Sequence, residues 1–241
     1  MRILVIDDDP DVCAIAEFAL ANDGHAVVAS CTSSSRALEQ AMRFEPDLIL
    51  LDVMMPVQDG PATLAQLKAH PSLAHVPVVF LTAVALRAEI DDLKRLGALA
   101  VIAKPFDPLT LPHELRALCG APAAIAAARR HDVALRSETD AVPESLRRAF
   151  RERISEEAAQ LAALTERLAD SAQAEYPALI AQAAARAHKL RGASAILGAP
   201  EIASACAHVE RIAGEVASTA RDQRAIMEPL RALIAMLQFR S

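Results

Sequence analysis

Polar residues that could do chemistry together follow the apolar runs in the first half of the chain. The carboxylates, the hydroxyl and the amine that come directly after these runs are Asp7, Asp8 and Asp9, then Asp52, Thr82 and Lys104. Clustered carboxylates repel one another and need a cation between them, and hard oxygen ligands suit Mg²⁺. A lysine and a hydroxyl group facing one carboxylate would suit a phosphoryl group bound to it. We therefore expect Mg²⁺ and phosphoryl chemistry here.

A second candidate is His188, in the stretch AARAHKLRGASAILGAP at 184–200. On a helix that turns about 100° per residue, His188 lies nearly opposite the apolar line through Leu190. Its neighbours on that face are small: Ala181, Ala184, Ala185, Gly192 and Ala195. We therefore expect an exposed imidazole that a partner protein can approach closely. Lys189 and Arg191 could steady a phosphoryl group on the ring.

The elements that must position the first set form an alternating pattern. Apolar runs that predict five strands lie at 3–6, 25–29, 47–51, 76–81 and 98–103, and helical stretches lie near 10–22, 34–44, 60–69, 86–96 and 108–118. Strands that are apolar throughout indicate a parallel sheet with helices on both faces. Five such units predict a doubly wound α/β domain, in which ligands bind at the carboxyl ends of the strands.

The second half of the chain has a different pattern. Residues 121–142 have weak periodicity and mixed charge and are interpreted as a linker. Four helical segments follow, at about 143–170, 175–197, 200–218 and 221–239. Their short connections predict an antiparallel four-helix bundle. We therefore expect an α/β domain at 1–120 and an all-α bundle at 143–241.

Composition excludes several classes of protein. Residues 1–120 carry 9 basic and 16 acidic side chains, and residues 121–241 carry 16 and 15. Neither half has the basic stripe that nucleic-acid binding requires. No apolar run approaches the roughly 18 residues of a membrane span, and no signal peptide is recognised. The four cysteines lack metal spacing and indicate reduced thiols. We expect a soluble cytoplasmic protein without membrane insertion.

Four stretches of the first half, taken together, resemble one known family. ILVIDDDP, DLILLDVMMPVQDG, VVFLTA and GALAVIAKPF occur in order at family-like spacing. Residues 1–118 resemble a response-regulator receiver domain, the CheY-like form of the flavodoxin-like fold with strand order 2-1-3-4-5. The resemblance implies that Asp52 is the nucleophile that takes a phosphoryl group from a phosphohistidine.

The resemblance also implies ligands around Asp52. Those for Mg²⁺ would be Asp8, Asp52 and the backbone carbonyl of Met54, with Asp7 in support through water. Thr82 and Lys104 would bind phosphoryl oxygens, and the peptide bond before Pro105 would be cis. One departure is Val101, because the family usually has an aromatic switch residue at that position.

The second half resembles a histidine-containing phosphotransfer (Hpt) domain. Its motif, H-x-L-K-G followed by a second glycine, corresponds to HKLRG and LG, and residues 144–239 fit the family's bundle, including HVERIAG. The resemblance implies that His188 carries phosphate, while Ala184, Ala185 and Gly192 form a docking surface. Arg191 stands where the motif has lysine, and the two residues differ in how they contact phosphoryl groups. No Gly-rich nucleotide box appears, so we expect no ATP-binding kinase domain.

The leading hypothesis is therefore a two-component phosphorelay protein that carries phosphate on Asp52 and His188. Its partners would be a sensor histidine kinase, other receiver domains and other Hpt proteins. One alternative is a phosphorylation-gated binding protein in which only Asp52 is phosphorylated and the bundle is a docking module. In another, the two domains serve separate partners and never exchange phosphate.

Overall fold

The protein is described by a computed structural model that covers residues 1–22, 24–83, 87–119, 142–170, 175–218 and 223–240. The chain divides into two compact units, Met1–Val142 and Pro143–Ser241. The linker expected at 121–142 lies outside the described residues, except for Val142. Among the helices in these ranges, none combines the length and the apolar character that a membrane crossing requires.

The first unit contains a five-stranded parallel sheet. Its strands are β1 Arg2–Ile6, β2 Val27–Cys31, β3 Leu48–Asp52, β4 Val78–Thr82 and β5 Ala100–Ala103. They lie side by side in the order β2-β1-β3-β4-β5, and every neighbouring pair is parallel. All five residues of β3 and of β4 are buried, so both faces of the sheet are covered. The predicted α/β class and strand order are confirmed.

Helices alternate with these strands. They are α1 Pro10–Asn22, a 3₁₀ turn Ser34–Arg36, α2 Ala37–Phe44, α3 Gly60–Ala69, α4 Arg87–Arg95 and α5 Leu111–Leu118. The start of α3 has a clear local cause, because the side chain of Asp59 accepts a hydrogen bond from the Ala62 N–H at 2.8 Å. Such a cap satisfies one of the free donors at a helix N-terminus.

The position of β2 differs from the sequence prediction. The apolar run predicted a strand at 25–29, but the strand is Val27–Cys31. Among the described strands it pairs with β1 alone, and the first pair in register is Arg2 with Val27. His25, two residues before the strand, instead uses its carbonyl to accept a hydrogen bond from the Met1 amino group at 3.0 Å. The strand therefore begins where its partner begins.

The second unit consists of four helices packed together, as predicted. They are α6 Glu144–Asp170, α7 Tyr176–Ile196, α8 Pro200–Ser218 and α9 Met227–Arg240, with a 3₁₀ turn Gln223–Ile226 before the last. Gly198 has a φ of 79°, which lets the chain leave α7 and begin α8 two residues later. The core between the helices is mostly aliphatic and includes Ile154, Leu161, Leu190, Ile202, Val209, Leu230 and Leu233.

Candidate functional site

The reactive groups of the first unit come from four strand ends. Asp7 directly follows β1, Asp52 and Thr82 are the last residues of β3 and β4, and Lys104 directly follows β5. Because the strands are parallel, their carboxyl ends meet at one edge of the sheet. A backbone hydrogen bond also joins two of these strand ends, because the Lys104 N–H donates to the Thr82 carbonyl at 2.6 Å. The lysine is thereby fixed beside the end of β4.

Lys104 joins two of the aspartates that the sequence indicated. Its Nζ donates to Asp7 Oδ2 at 2.5 Å and to Asp52 Oδ1 at 2.7 Å. The three side chains are almost fully buried, with 6% of Lys104, 1% of Asp7 and 2% of Asp52 exposed. Buried charges are tolerated only when they are paired and hydrogen-bonded. The lysine therefore makes it possible to hold two carboxylates beneath the surface.

The pKa values of Asp7 and Lys104 reflect the balance of charge in this cluster. Burial, and after it the negative charge of Asp52, raises the pKa of Asp7 to about 7 in spite of the opposing charge of Lys104. Burial alone would lower the pKa of Lys104, but the two carboxylates together outweigh burial and raise it. The site therefore has room for one more positive charge, which a proton or a metal ion can supply.

Three carboxylates are close enough to share such an ion. One oxygen each from Asp7, Asp8 and Asp52 lie within 4.8 Å of one another. Carboxylate oxygens are the ligands that Mg²⁺ prefers, so the donor set fits this ion. The backbone N–H of Met54 donates to Asp52 Oδ2 at 3.1 Å and so orients the carboxylate. That the Met54 carbonyl is a further ligand stays a prediction.

The loop after β3 is shaped by a glycine that sequence reasoning did not single out. A Cβ atom on Gly60 would lie 2.3 Å from the backbone oxygen of Asp52 and 2.9 Å from the Phe80 ring. The Gly60 N–H also donates to the Val53 carbonyl at 2.9 Å. Only a residue without a side chain fits at this distance. The available signal was a glycine directly after the helix-capping Asp59.

Two further expectations concern residues near Lys104. The peptide bond between Lys104 and Pro105 is cis, as the family resemblance implied. Val101 is partly buried and packs against the hydrophobic core that includes Phe80. An aliphatic side chain therefore occupies the position where the family usually has an aromatic one.

In the second unit, His188 is held by a residue of the neighbouring helix. Its Nδ1 lies 3.2 Å from Glu210 Oε2, which joins α7 to α8. The His188 side chain is 19% exposed, so the expectation of a freely exposed imidazole is wrong. The reason is tertiary: Glu210 covers the Nδ1 side of the ring. Within the described residues, Nε2 has no hydrogen-bond partner.

The residues around His188 have different environments. Ala185 is exposed, while Ala184, Lys189 and Gly192 are partly buried. Arg191 does not extend freely into solvent, because its Nη1 lies 3.2 Å from Glu210 Oε2 and its side chain is 19% exposed. Glu210 is the functional candidate that sequence reasoning missed. It lies in HVERIAG, the stretch that supported the Hpt resemblance.

Comparison with known proteins assigns each of the two units to a protein family. Residues 3–116 match the family model of the response regulator receiver domain, and residues 145–238 match that of the Hpt domain. An uncharacterized 14.6 kDa protein of Leptolyngbya boryana is 34% identical over 119 residues, which make up 49% of this chain and 90% of that protein. The chain contains a response regulator receiver domain followed by an Hpt domain.

Two further similarities each cover about half of this chain. The response regulator PleD of Caulobacter vibrioides is 37% identical over 117 residues, which make up 48% of this chain and 26% of PleD. A crystal structure of a response regulator from Desulfuromonas acetoxidans is 26% identical, covers 51% of this chain and 98% of its own, and has a TM-score of 0.46. The chain thus spans about a quarter of PleD. The Asp7, Asp8 and Asp52 cluster is typical of the Mg²⁺ site of a receiver.

Proposed function

We propose that this receiver–Hpt protein carries a phosphoryl group on Asp52 and on His188 and passes it between these residues or their partner proteins. The observation that carries the proposal is the position of Lys104, whose ammonium group contacts Asp52 at 2.7 Å inside the acidic cluster. Phosphoryl transfer needs positioning and neutralisation of charge on the phosphoryl oxygens. Lys104 is within reach of an oxygen on a phosphorylated Asp52.

At the receiver site, the reaction exchanges one bond to phosphorus for another. A carboxylate oxygen of Asp52 forms the bond to phosphorus as the bond to the donor imidazole nitrogen breaks, and the electron pair of that bond stays on nitrogen. Mg²⁺ held by Asp7, Asp8 and Asp52 would neutralise charge on the phosphoryl oxygens. Lys104 and Thr82 would contact those oxygens, while the Met54 N–H keeps the carboxylate oriented.

At the Hpt site, Glu210 selects the reactive nitrogen. An ionised carboxylate can only accept hydrogen bonds, so His188 donates its Nδ1–H to Glu210 and keeps a lone pair on Nε2. Attack by Nε2 on an aspartyl phosphate forms the N–P bond and returns the electron pair of the P–O bond to the aspartate. The ring then carries positive charge, which the Glu210 carboxylate stabilises.

The partners follow from this chemistry. We propose that a sensor histidine kinase, other receivers and other Hpt proteins exchange phosphate with this cytoplasmic protein, and that it binds neither DNA nor RNA. Ala184, Ala185 and Gly192 would form the docking surface beside His188, with Lys189 as phosphoryl support. Because the matching family models are a receiver domain and an Hpt domain, we propose that the chain receives phosphate from a donor protein and not from ATP.

The test is phosphotransfer from a radiolabelled phospho-Hpt protein that donates to receivers. The full chain with Mg²⁺ is compared with Asp52→Ala, His188→Gln and, as a matched control, His208→Gln, which changes an exposed histidine of the same bundle. Stability of the label to acid and to base separates phosphoramidate from acyl phosphate. We expect both kinds of label in the wild type and in His208→Gln, and neither in Asp52→Ala.

Three results would count against the proposal. Acyl phosphate that persists in Asp52→Ala would exclude Asp52 as the acceptor. Phosphoramidate that persists in His188→Gln would exclude His188. Acyl phosphate without any phosphoramidate would support the alternative in which the bundle is a docking module.

A further inference from the structure

We propose that Val57 is a specificity-determining residue of the receiver, which contacts the Hpt domain that exchanges phosphate with Asp52. Val57 lies in the loop between β3 and α3, five residues after Asp52. The proposal rests on the function proposed for Asp52. It adds a contact that serves recognition of the partner protein and not the transfer step itself.

The backbone at Val57 has a conformation that valine seldom adopts. Its φ is 70°, and the Gln58 N–H donates to the Pro56 carbonyl at 2.8 Å across this one residue. A three-residue γ-turn with a positive central φ is rare and strained. A β-branched residue at positive φ is an outlier, whereas glycine adopts it without steric cost. The local backbone therefore favours glycine at this position over valine.

The residues on either side of Val57 hold the turn in place. The buried hydroxyl group of Ser34, just after β2, donates to the same Pro56 carbonyl at 2.9 Å. Met55 is 7% exposed and belongs to the hydrophobic core, and the Gln58 side chain donates to Thr63 Oγ1 at 3.1 Å. A strained backbone persists where its surroundings fix it, and such residues cluster at functional sites.

The Val57 side chain projects into solvent. It is 98% exposed, so it gains almost no packing that would offset the strain. Met54 of the same loop is 57% exposed, although its backbone N–H holds the Asp52 carboxylate. The loop thus presents two apolar side chains beside a carboxylate that is itself only 2% exposed. A protein that brings an imidazole to Asp52 therefore approaches close to this loop.

The partner that fits the loop is an Hpt domain with a face of small residues beside its histidine. The Hpt domain of this chain has such a face, in which Ala185 is exposed and Ala184 and Gly192 are partly buried. Small side chains leave room for a valine that projects from the opposite surface. Removal of Val57 from water against this face would favour binding through the hydrophobic effect.

Glu45 offers a matched control at the opposite edge of the sheet. It is a second non-glycine residue with positive φ, at 49°, and it is also exposed. Its N–H donates to the Ala41 carbonyl at 2.9 Å at the end of α2. Glu45 precedes β3, whereas Val57 follows β3. Glycine would relieve a positive φ at either position, but only Val57 lies on the loop beside Asp52.

The test compares two phosphoryl donors on the full chain. Every variant also carries His188→Gln, so that label can remain only on Asp52. One donor is a radiolabelled phospho-Hpt protein, and the other is labelled phosphoramidate, which has a P–N bond but no protein surface. We expect Val57→Gly and Val57→Asn to raise the KM for phospho-Hpt protein about tenfold, which equals about 1.4 kcal/mol. The rate with phosphoramidate should stay unchanged.

Three controls accompany this measurement. Glu45→Gly should change transfer from neither donor, and Val57→Ile, which keeps a branched apolar side chain, should retain the wild-type KM. The urea midpoint of the receiver should rise in Val57→Gly, because glycine adopts the positive φ without strain. A poorer acceptor that is also more stable cannot owe its defect to unfolding.

Two results would overturn the proposal. One is an unchanged KM for phospho-Hpt protein in Val57→Gly, and the other is equal slowing with both donors, which would assign the effect to the chemistry at Asp52. Binding of the unphosphorylated Hpt protein, measured by NMR titration, is a readout without phosphate, and its Kd should rise about tenfold in Val57→Gly but not in Glu45→Gly. If Asp52 accepts label from neither donor in any chain, the proposed function fails, and the Kd still decides whether Val57 contacts an Hpt domain.

Discussion

The receiver site and the Hpt site hold their reactive side chains in opposite ways. Asp52 is 2% exposed and is tied to Lys104, a residue 52 positions away. His188 is 19% exposed and is tied to Glu210, a residue 22 positions away on the next helix. The receiver assembles its site from distant strand ends, whereas the Hpt domain assembles it from two neighbouring helices.

The difference indicates what each of the two proposed phosphoryl acceptors requires. A buried carboxylate is costly as an anion, so the receiver must supply positive charge, and the raised pKa of Asp7 shows that Lys104 alone does not supply enough. A half-buried histidine can remain neutral and needs only the correct tautomer and orientation. Charge compensation should therefore dominate at Asp52, and orientation should dominate at His188.

Removal of the Lys104 charge should have the largest effect. Lys104→Met leaves Asp7 and Asp52 buried without the ammonium group that pairs with them, and it removes the contact proposed to the phosphoryl oxygens. We expect the rate of phosphoryl transfer to Asp52 to fall on the order of 10²-fold. The measurement is transfer from a radiolabelled phospho-Hpt protein, followed by rapid quenching.

Two controls would sharpen this result. Lys68→Met removes a lysine whose Nζ bonds the carbonyls of Ala74 and Val76, and it should leave transfer to Asp52 unchanged. Transfer to His188 from a separate phosphorylated receiver should also be unchanged in Lys104→Met. A Lys104→Met chain that accepts phosphate as fast as the wild type would contradict a dominant role for charge at Asp52.

The pKa of Asp7 predicts a pH-dependent stability of the receiver in EDTA. The folded pKa is about 7 and the ordinary value is 3.8, so between these values the folded form keeps a proton that the unfolded chain has lost. Stability therefore falls as pH rises through this window, by up to about 1.4 kcal/mol per unit. Over the upper part of this pH window the free energy of unfolding should fall by about 2 kcal/mol. Asp7→Asn should abolish this pH dependence.

The measurement is urea unfolding at several pH values, and the NMR signals of β1 and β3 are the probe of the folded receiver. These signals report the receiver alone, so unfolding of the helical unit does not enter. Wild type and Asp7→Asn should converge towards pH 4 and separate towards pH 7. If the two stability profiles run parallel, Asp7 does not retain a proton in the folded receiver.

The receiver site was largely predictable from the sequence. Apolar runs that end in Asp7, Asp52, Thr82 and Lys104 place these residues at one edge of a parallel sheet, wherever the runs begin. The start of β2 was less predictable, because it depends on pairing with β1 and not on its own apolar residues. The role of Gly60 was also missed, because the carbonyl that excludes a side chain there belongs to Asp52 in the folded backbone.

The Hpt site was predictable only in part. Periodicity gave four helices and placed His188 on a face of small residues. A projection of one helix cannot show what the next helix contributes, so the partial burial of His188 and the contact from Glu210 did not follow from it. The same limit explains why Arg191 was expected to face a phosphoryl group, when it pairs with Glu210.

Substitution of one glycine in each domain compares how tightly the two sites are packed, and it has the smallest expected effects. Gly60→Ala would place a Cβ 2.3 Å from the Asp52 backbone oxygen, so the loop must move. Gly214 lies on α8, one turn after Glu210, and a Cβ there would meet nothing within 4 Å. We expect Gly60→Ala to destabilise the receiver by about 1–2 kcal/mol and to slow transfer to Asp52. Gly214→Ala should stabilise the Hpt domain by up to about 1 kcal/mol, because alanine favours the helix.

Both changes in stability are measured by urea unfolding of the full chain, with the NMR signals of each unit as the probe of that unit. Gly214→Ala is the matched control for Gly60→Ala, since both add one methyl group to a glycine that belongs to a helix. A Gly60→Ala receiver with wild-type stability and transfer rate would show that the backbone at Asp52 tolerates displacement. The contrast between a tightly built receiver site and a more open Hpt site would then hold for charge but not for packing.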